Sequence, residues 1–394
     1  MGFFKKQKHE SFVIIDVGSS SVGVGLAEIS QGDKPHISWA TREEMVFQTE
    51  LNFSRFFSAM LEALDRALER LEKESRDVPK PFVVSFASPW YVSQTRMVTV
   101  NRATPFTVTE KGIHKLIERE VEAFRTTYLP QYKNVAEEET DILEAESIQI
   151  KLNGYDVSKP YGVSAKDMRM AVYVSVSSHK VLTAVEQKIF KRFHGRNVKF
   201  HSFPLVAFST IRDTFVDAND FLFLDISGEV TDVSIIRDDA ILETISFPLG
   251  KNFLIRRIAS AHNTVPEEAA SLLRIFTEGK SDDATRMKIQ TTLIAARKEW
   301  MQYFTEALAD LSKDLALPYR VFFTADGDVA PWFADVLRSE EFEKYTFTDE
   351  PFQVTIFDSP ILSGFSSIAA QVPQDPFILL EAVFVAKTQS KRYY

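Results

Sequence analysis

The chain has 394 residues, 45% hydrophobic and 26% charged, with a formal net charge of −9; this is the balance of a globular protein of two or three domains, and it argues against nucleic acid as a general partner. It contains no cysteine, which excludes a disulfide framework, a thiolate metal site and a cysteine nucleophile. No apolar run approaches the roughly 20 residues of a membrane-spanning helix. The basic start, with Phe3, Phe4, Lys5, Lys6 and Lys8, runs into Glu10 and a strand, so it reads as a solvated terminus rather than a signal peptide or a membrane contact.

The first elements form a hairpin. Phe12–Ile15 is apolar, meets Asp16, turns on Gly18 through Ser19, Ser20 and Ser21, and returns as an apolar run from Val22. Closely spaced backbone N–H groups and hydroxyls at such a tip make an anion-binding concavity, and Gly18 allows close approach; an ordinary hairpin with a polar turn is the competing reading. Strand-like runs follow at Ile37–Phe47 and Phe82–Phe86. Between them Phe53–Lys73 places Phe56, Phe57, Met60, Leu61, Leu64, Leu68 and Leu71 at helical spacing. The set predicts an α/β unit.

From about Ser88 the texture changes. Arg96–Asn101 alternates as a strand, and Thr107-Val-Thr-Glu110 is a capping signal for a helix over Glu110–Phe124. After an acidic connection containing Glu137, Glu138, Glu139 and Asp141, strands are predicted at Ile142–Leu152 and Met168–Ser177, with a turn at Asn153-Gly154. This strand–helix–strand–strand segment reads as an insertion. The helix Lys180–Phe193 and the strand Val198–Phe203 resume the first domain. The expected units are 1–88 with 178–215, the insertion 89–177, and 216–394.

A second unit repeats the first. Asp220-Phe-Leu-Phe-Leu-Asp225-Ile-Ser-Gly228 is another apolar strand ending in Asp and a glycine turn, followed by strands at Val233–Ile236 and Ala240–Phe247. Helices are predicted at Phe253–Ala261, Pro266–Phe276, Asp283–Leu311 and from Trp332. The strand Tyr319–Thr324 ends in Ala325-Asp326-Gly327-Asp328.

Two Asp-headed hairpins, one per domain, with a third strand and glycine turn near 324, resemble the actin-like ATPase superfamily. The resemblance implies a duplicated, ribonuclease-H-like α/β fold with ATP and Mg²⁺ in the cleft between the domains. The insertion resembles the 1C subdomain of the FtsA/PilM type, as do Val108-Thr-Glu110, Leu152-Asn-Gly-Tyr-Asp156, Pro160-Tyr-Gly162, Phe203–Thr210 and the closing stretch Asp375–Val383. Carried over, Asp16 and Asp225 would face the cation. Gly18, Ser19, Ser20, Ser21, Ser227, Gly228 and Thr231 would receive phosphate oxygens, and Gly250 and Gly327 would stand in the remaining contact loops.

Several of these positions depart from the family pattern. The second loop, Asp225-Ile-Ser-Gly-Glu-Val-Thr-Asp232, has Ser227, Glu229 and Val230 where glycines and a threonine are usual. A carboxylate at Glu229 adds like charge where phosphate oxygens must approach, unless its side chain points outward. Ala270 and Leu273 fall where ribose- and base-binding Glu and Lys are usual and cannot make those hydrogen bonds, unless Glu268 or Arg274 compensates. Thr324-Ala-Asp-Gly327 replaces a Thr-Gly-Gly turn. The histidines are scattered without metal-binding spacing.

The implied protein is a cytoplasmic scaffold or adaptor of cell division or pilus assembly with a degenerate nucleotide cleft, at most a weak ATPase. It would be recruited peripherally to the inner membrane face by a short cytoplasmic peptide of a membrane protein, with self-association through the 1C-like module. The short polar stretch Lys387–Tyr394 does not read as a membrane-inserting helix. The alternative is an active FtsA-like protein that uses Mg-ATP as a conformational switch.

Overall fold

A computed structural model describes residues 10–29, 34–75, 78–79, 81–131, 139–194, 197–215, 217–312, 316–346 and 350–390. The basic start, Glu137, Glu138 and the last four residues lie outside them. In chain order the first strands are β1 (Glu10–Val17), β2 (Ser21–Ile29) and β3 (His36–Glu44), followed by helix α1 (Phe53–Glu74) and β4 (Phe82–Phe86). The insertion comprises β5 (Tyr91–Thr107), α2 (Glu110–Ala123), β6 (Thr140–Leu152), β7 (Tyr155–Asp156) and β8 (Ser164–Ser178). Then come α3 (His179–Phe193), β9 (Val198–Ser202), α4 (Phe203–Thr214), β10 (Phe221–Ile226), β11 (Thr231–Arg237) and β12 (Ala240–Phe247). The remainder is α5 (Lys251–His262), α6 (Pro266–Thr277), α7 (Asp283–Ser312), β13 (Arg320–Ala325), α8 (Ala330–Leu337), β14 (Gln353–Ile356), β15 (Ser367–Ile368) and α9 (Pro376–Ser390).

The strands form three sheets. One has the order β15-β3-β2-β1-β4-β9 and another β12-β11-β10-β13-β14. Apart from β15 these are the same arrangement made twice: an antiparallel three-strand meander whose first strand also pairs in parallel with a later strand. In both, the aspartate ends the central strand. Asp16 lies beside Ser85 of β4, and Asp225 beside Thr324 of β13. Central strands covered on both faces read as near-continuous apolar runs, which is why β1 and β10 were legible.

Helix α1 starts at Asn52, whose side chain accepts from Arg55 N (3.1 Å). Its apolar stripe, Phe56 through Leu71, packs with α3 on one face of the first sheet. Helices α5 to α8 cover the far face of the second sheet. Between the sheets lie α4 and α9, in one core that joins Phe12 and Ile14 to Phe221, Phe223 and Phe322.

That shared core corrects the expected boundary at 216–394. Strand β15 pairs with β3, so this late segment completes the first sheet. Apart from Glu381, the first part of helix α9 is apolar all round (Ile378, Leu379, Leu380 and Val383 are all buried) and must be covered on every side. Gly23 and Gly25 of β2 leave the space that Ile378 fills.

The third sheet, β5-β8-β6-β7, is the insertion's own. It is tied to the first unit by Glu144, which accepts from Ser175 Oγ, Ser202 N (2.8 Å) and Ser202 Oγ (3.0 Å), and by Tyr173 Oη with Ser202 Oγ (2.9 Å). Two local expectations change here. Strand β5 is much longer than Arg96–Asn101, and Thr107 belongs to it, opposite Ser164. The cap of α2 is therefore Thr109, which accepts from Gly112 N (3.1 Å). The Asn153-Gly154 turn takes positive φ as its sequence predicts, and Asp238-Asp239 between β11 and β12 does so too.

Candidate functional site

The two hairpin tips meet in one cleft. Asp16, Gly18, Ser19, Ser20 and Ser21 face Asp225, Ser227 and Gly228 there, with Asp326 of the third loop beside them. Eight of the eleven expected site residues are thus brought together. Thr231, Gly250 and Gly327 are not among the lining residues. Thr231 alternates to the opposite face of β11 from Asp232 and donates to Leu249 O (2.7 Å) in the core beside Trp300. Gly250 is required for packing: an added Cβ would fall well inside contact distance of the Ser227 and Gly228 carbonyls. An added Cβ at Gly327 would meet open space. Leu273 is buried in the second core, and Glu268 accepts from Thr264 Oγ1, so α6 offers the cleft neither side chain.

The tips touch each other. Ser19 Oγ lies 2.7 Å from Ser227 Oγ and accepts from Glu229 N at 2.8 Å. A Cβ on Gly228 would collide with Ser20. The carbonyls of Ser227 and Gly228 accept from Lys251 N (2.9 Å) and Asn252 N (2.7 Å), so the second loop caps the N-terminus of α5 that anions otherwise favour. About 20 Å³ of free space is left between the tips, room for about one water and far below the few hundred Å³ typical of a small-molecule site.

Nor does Asp16 stand ready for a hydrated cation. Arg42 of β3, which the sequence reading passed over, donates through Nη2 to Asp16 Oδ2 (2.7 Å), through Nε to Asp375 Oδ2 (2.7 Å) and through Nη1 to Ser21 Oγ (2.9 Å). Asp375 is also the cap of α9, accepting from Phe377 N (3.1 Å) and Ile378 N (3.2 Å). A guanidinium is thus held between two carboxylates, one of them the Asp16 that the sequence assigns to a cation. In this arrangement the residues do not fit a metal-bound triphosphate. The only sequence signal was an Arg in the middle of a strand otherwise half apolar, and its partner Asp375 lies 333 residues away.

Glu229 takes the outward alternative. It is 5% exposed and turns away from the cleft. Arg256 binds it with both terminal nitrogens (Nη1 to Oε2 2.7 Å, Nη2 to Oε1 2.8 Å), and Asn252 Nδ2 donates to Oε1 at 2.7 Å. Arg256 in turn donates to Gln48 O of the first unit (Nε 3.1 Å, Nη2 2.8 Å) and lies over the Phe47 ring. Its negative charge is met inside the second unit, so it does not repel a ligand at the tips.

The aromatics at the entry to the insertion, Trp90 and Tyr91, are buried. Trp90 Nε1 donates to Gly18 O (2.7 Å), and Tyr91 Oη donates to Asp232 Oδ2 (3.1 Å), so one dipeptide supports both hairpins. Burial dominates the acid chemistry. It pushes Asp16 up to about 6 against the pull of Arg42. Asp225 is driven well above the carboxylate range by burial and by Asp232 across the ladder. Asp326, though buried, is held below its ordinary value by Lys251 and Arg42; Lys251 Nζ lies 3.0 Å from Asp326 and from Asp328. No cluster of three or more His, Cys, Asp or Glu suited to a metal ion occurs among the described residues.

A second concavity, of about 730 Å³, lies between the insertion and the first unit. Its walls are β6 residues 146–150, the face of α4 carrying Leu205, Phe208, Ser209 and Arg212, and Phe384 to Thr388 of α9. On that side of β6, Ile150 O accepts from Val157 N (3.0 Å) and Ile148 O from Arg212 Nη1 (3.5 Å).

Duplicated sheets of one strand order, each presenting an Asp-ended strand and a hairpin to a common cleft, define an actin-like ATPase fold. The chain is similar to the PilM-PilN type IV pilus biogenesis complex: 14% identity over 95% of this chain and 97% of that chain, with a TM-score of 0.60. Weaker likenesses are to the MamK double helical filament (9% identity, 97% and 99% of the chains, TM-score 0.45) and to ethanolamine utilization protein EutJ from Carboxydothermus hydrogenoformans (12%, 96% and 89%, 0.44). No protein-family model matches the sequence, and no curated protein matches it.

Proposed function

We propose that this chain is a PilM-type scaffold of pilus assembly. On this reading it works by holding a partner rather than by hydrolysing ATP, and the β5–β8 sheet with α2 serves as its 1C-type module. The observation that carries the reading is the groove between that sheet and α4. It is long and open, walled by the outer edge of β6 and floored by Leu205, Phe208 and Phe384, a shape that fits an extended peptide whose alternate side chains enter it. The neighbour of similar fold is a complex of PilM with PilN, and the equivalent occupant here is a short cytoplasmic segment of a membrane protein. No helix among the described residues is long and apolar enough to cross a membrane, so placement at the inner membrane face would come from that partner. Self-association through the same module belongs to this reading.

The experiment is fluorescence anisotropy with labelled cytoplasmic peptides of the single-pass membrane proteins encoded with pilus genes in the source organism. One peptide should bind the intact chain. Ser209→Trp, which fills the groove from a half-buried position, should abolish binding without changing the melting temperature. Equal binding by this variant would refute the groove.

A further inference from the structure

We propose that this chain closes its own cleft: the guanidinium of Arg42 stands in for the metal ion, Arg256 anchored on Glu229 bridges the two units, and they are held together without nucleotide. The proposal deepens the reading of a non-hydrolysing scaffold and is separable from peptide docking.

Three observations converge on it. Arg42 satisfies Asp16, Ser21 and Asp375 at once, and Gly23 makes the room: a Cβ there would lie 2.7 Å from Arg42 Nη2. A divalent ion approaching Asp16 meets a fixed positive charge. Next, every oxygen of the Glu229 carboxylate is used within the second unit, and this fixes Arg256 so that its remaining edge reaches Gln48 O of the first. A planar guanidinium anchored on two nitrogens loses little further freedom when it makes the contact across the cleft. Finally, the hydroxyls and N–H groups of the two tips pair with each other, Ser19 with Ser227 and Glu229 N, where phosphate oxygens would otherwise sit between them. A ligand stabilises a closed state only through contacts that the open state lacks. Here those contacts are already made by the chain.

The absence of cysteine makes the test direct. Thr49→Cys and Ser260→Cys lie on exposed residues that face one cavity between the first unit and α5, and spin labels there report the separation of the units by double electron–electron resonance in the full chain. The expected result is a single narrow distance without nucleotide, unchanged by millimolar Mg-ATP. Gly228→Ala, whose methyl would collide with Ser20 of the other unit, should lengthen and broaden that distance, and Arg256→Ala should do the same. A broad distribution that Mg-ATP narrows, or no change in either variant, overturns the proposal. For Arg42 the probe is magnesium chloride alone. Millimolar Mg²⁺ should raise the melting temperature of Arg42→Ala and leave the parent chain unmoved, and adding Asp16→Asn to Arg42→Ala should remove the response. If Arg42→Ala does not fold, Arg42→Gln takes its place. A magnesium response of the parent chain equal to that of the variant would refute the stand-in role. Peptide binding read on the same samples separates this proposal from the groove, since lobe separation and peptide affinity can fail independently.

Discussion

The two hairpins share one backbone plan and have diverged in opposite ways. The first keeps its wording, Asp16 to Ser21, but its carboxylate is engaged by Arg42 from the neighbouring strand. The second has lost its wording, yet Glu229, the residue that looked most damaging, is buried with a bidentate arginine and braces the contact between the units. Agreement with a motif therefore leaves open what holds the carboxylate at the first loop, and departure from it comes with a structural task for Glu229 at the second. Residue type alone separates neither case, because each depends on which charge stands opposite.

The comparison can be broken most severely at Arg42. Arg42→Ala leaves Asp16 and Asp375 facing each other without their cation, and urea denaturation near neutral pH should register a loss of about 3–5 kcal/mol. A loss within the range of an exposed pair would mean that the first loop does not depend on it.

Next in size is a pH effect beneath the same hairpin. Glu381 of α9 is 1% exposed, and among the described residues neither of its oxygens has a hydrogen-bond partner. Burial, with Asp16 nearby, lifts it well above its ordinary value. A carboxyl raised on folding gives its full contribution below its unfolded pKa and loses it as pH rises, and Asp16, raised to about 6, acts in the same direction. Stability should thus decline from about pH 5 to 8. Glu381→Leu should flatten that decline and gain about 1–3 kcal/mol at pH 8, measured by thermal melts across the range. An unchanged slope would remove Glu381 from the account.

The glycines of the second unit sharpen the contrast between its loops. Gly250→Ala, forced against the Ser227 carbonyl, should cost about 1–3 kcal/mol. Gly327→Ala, facing open space, should stay within about 0.5 kcal/mol. Chemical denaturation of the pair side by side decides it, and equal effects would contradict the packing described. The smallest effect is expected at Ser19→Ala, which removes the hydroxyl shared by Ser227 and Glu229 N and should cost about 0.5–1.5 kcal/mol in the same assay.

Much of the fold could be read from residue order. Apolar runs ending in Asp16 and Asp225 identified the central strands, the stripe from Phe56 to Leu71 identified α1, and positive-φ turn residues fell at Asn153-Gly154. These signals are local, set by the period of the element and the stereochemistry of single residues. The site was half legible. Gly18 through Ser21 and Ser227-Gly228 do line one cleft, because two copies of one motif on two sheets must face each other in a duplicated fold. Thr231 was misplaced because a one-residue step along β11 turns a side chain from the loop to the core.

By itself, then, the sequence determined two Asp-headed hairpins on repeated sheets and the inserted sheet between them. Tertiary structure alone decided that α9 returns to the first unit, that Arg42 meets Asp375 across 333 residues, and that Glu229 faces Arg256 rather than the cleft. The physical reason is range. Hydrogen bonding and side-chain periodicity act between near neighbours along the chain, whereas the field on a buried carboxylate is set by whichever distant segment the shared core brings against it.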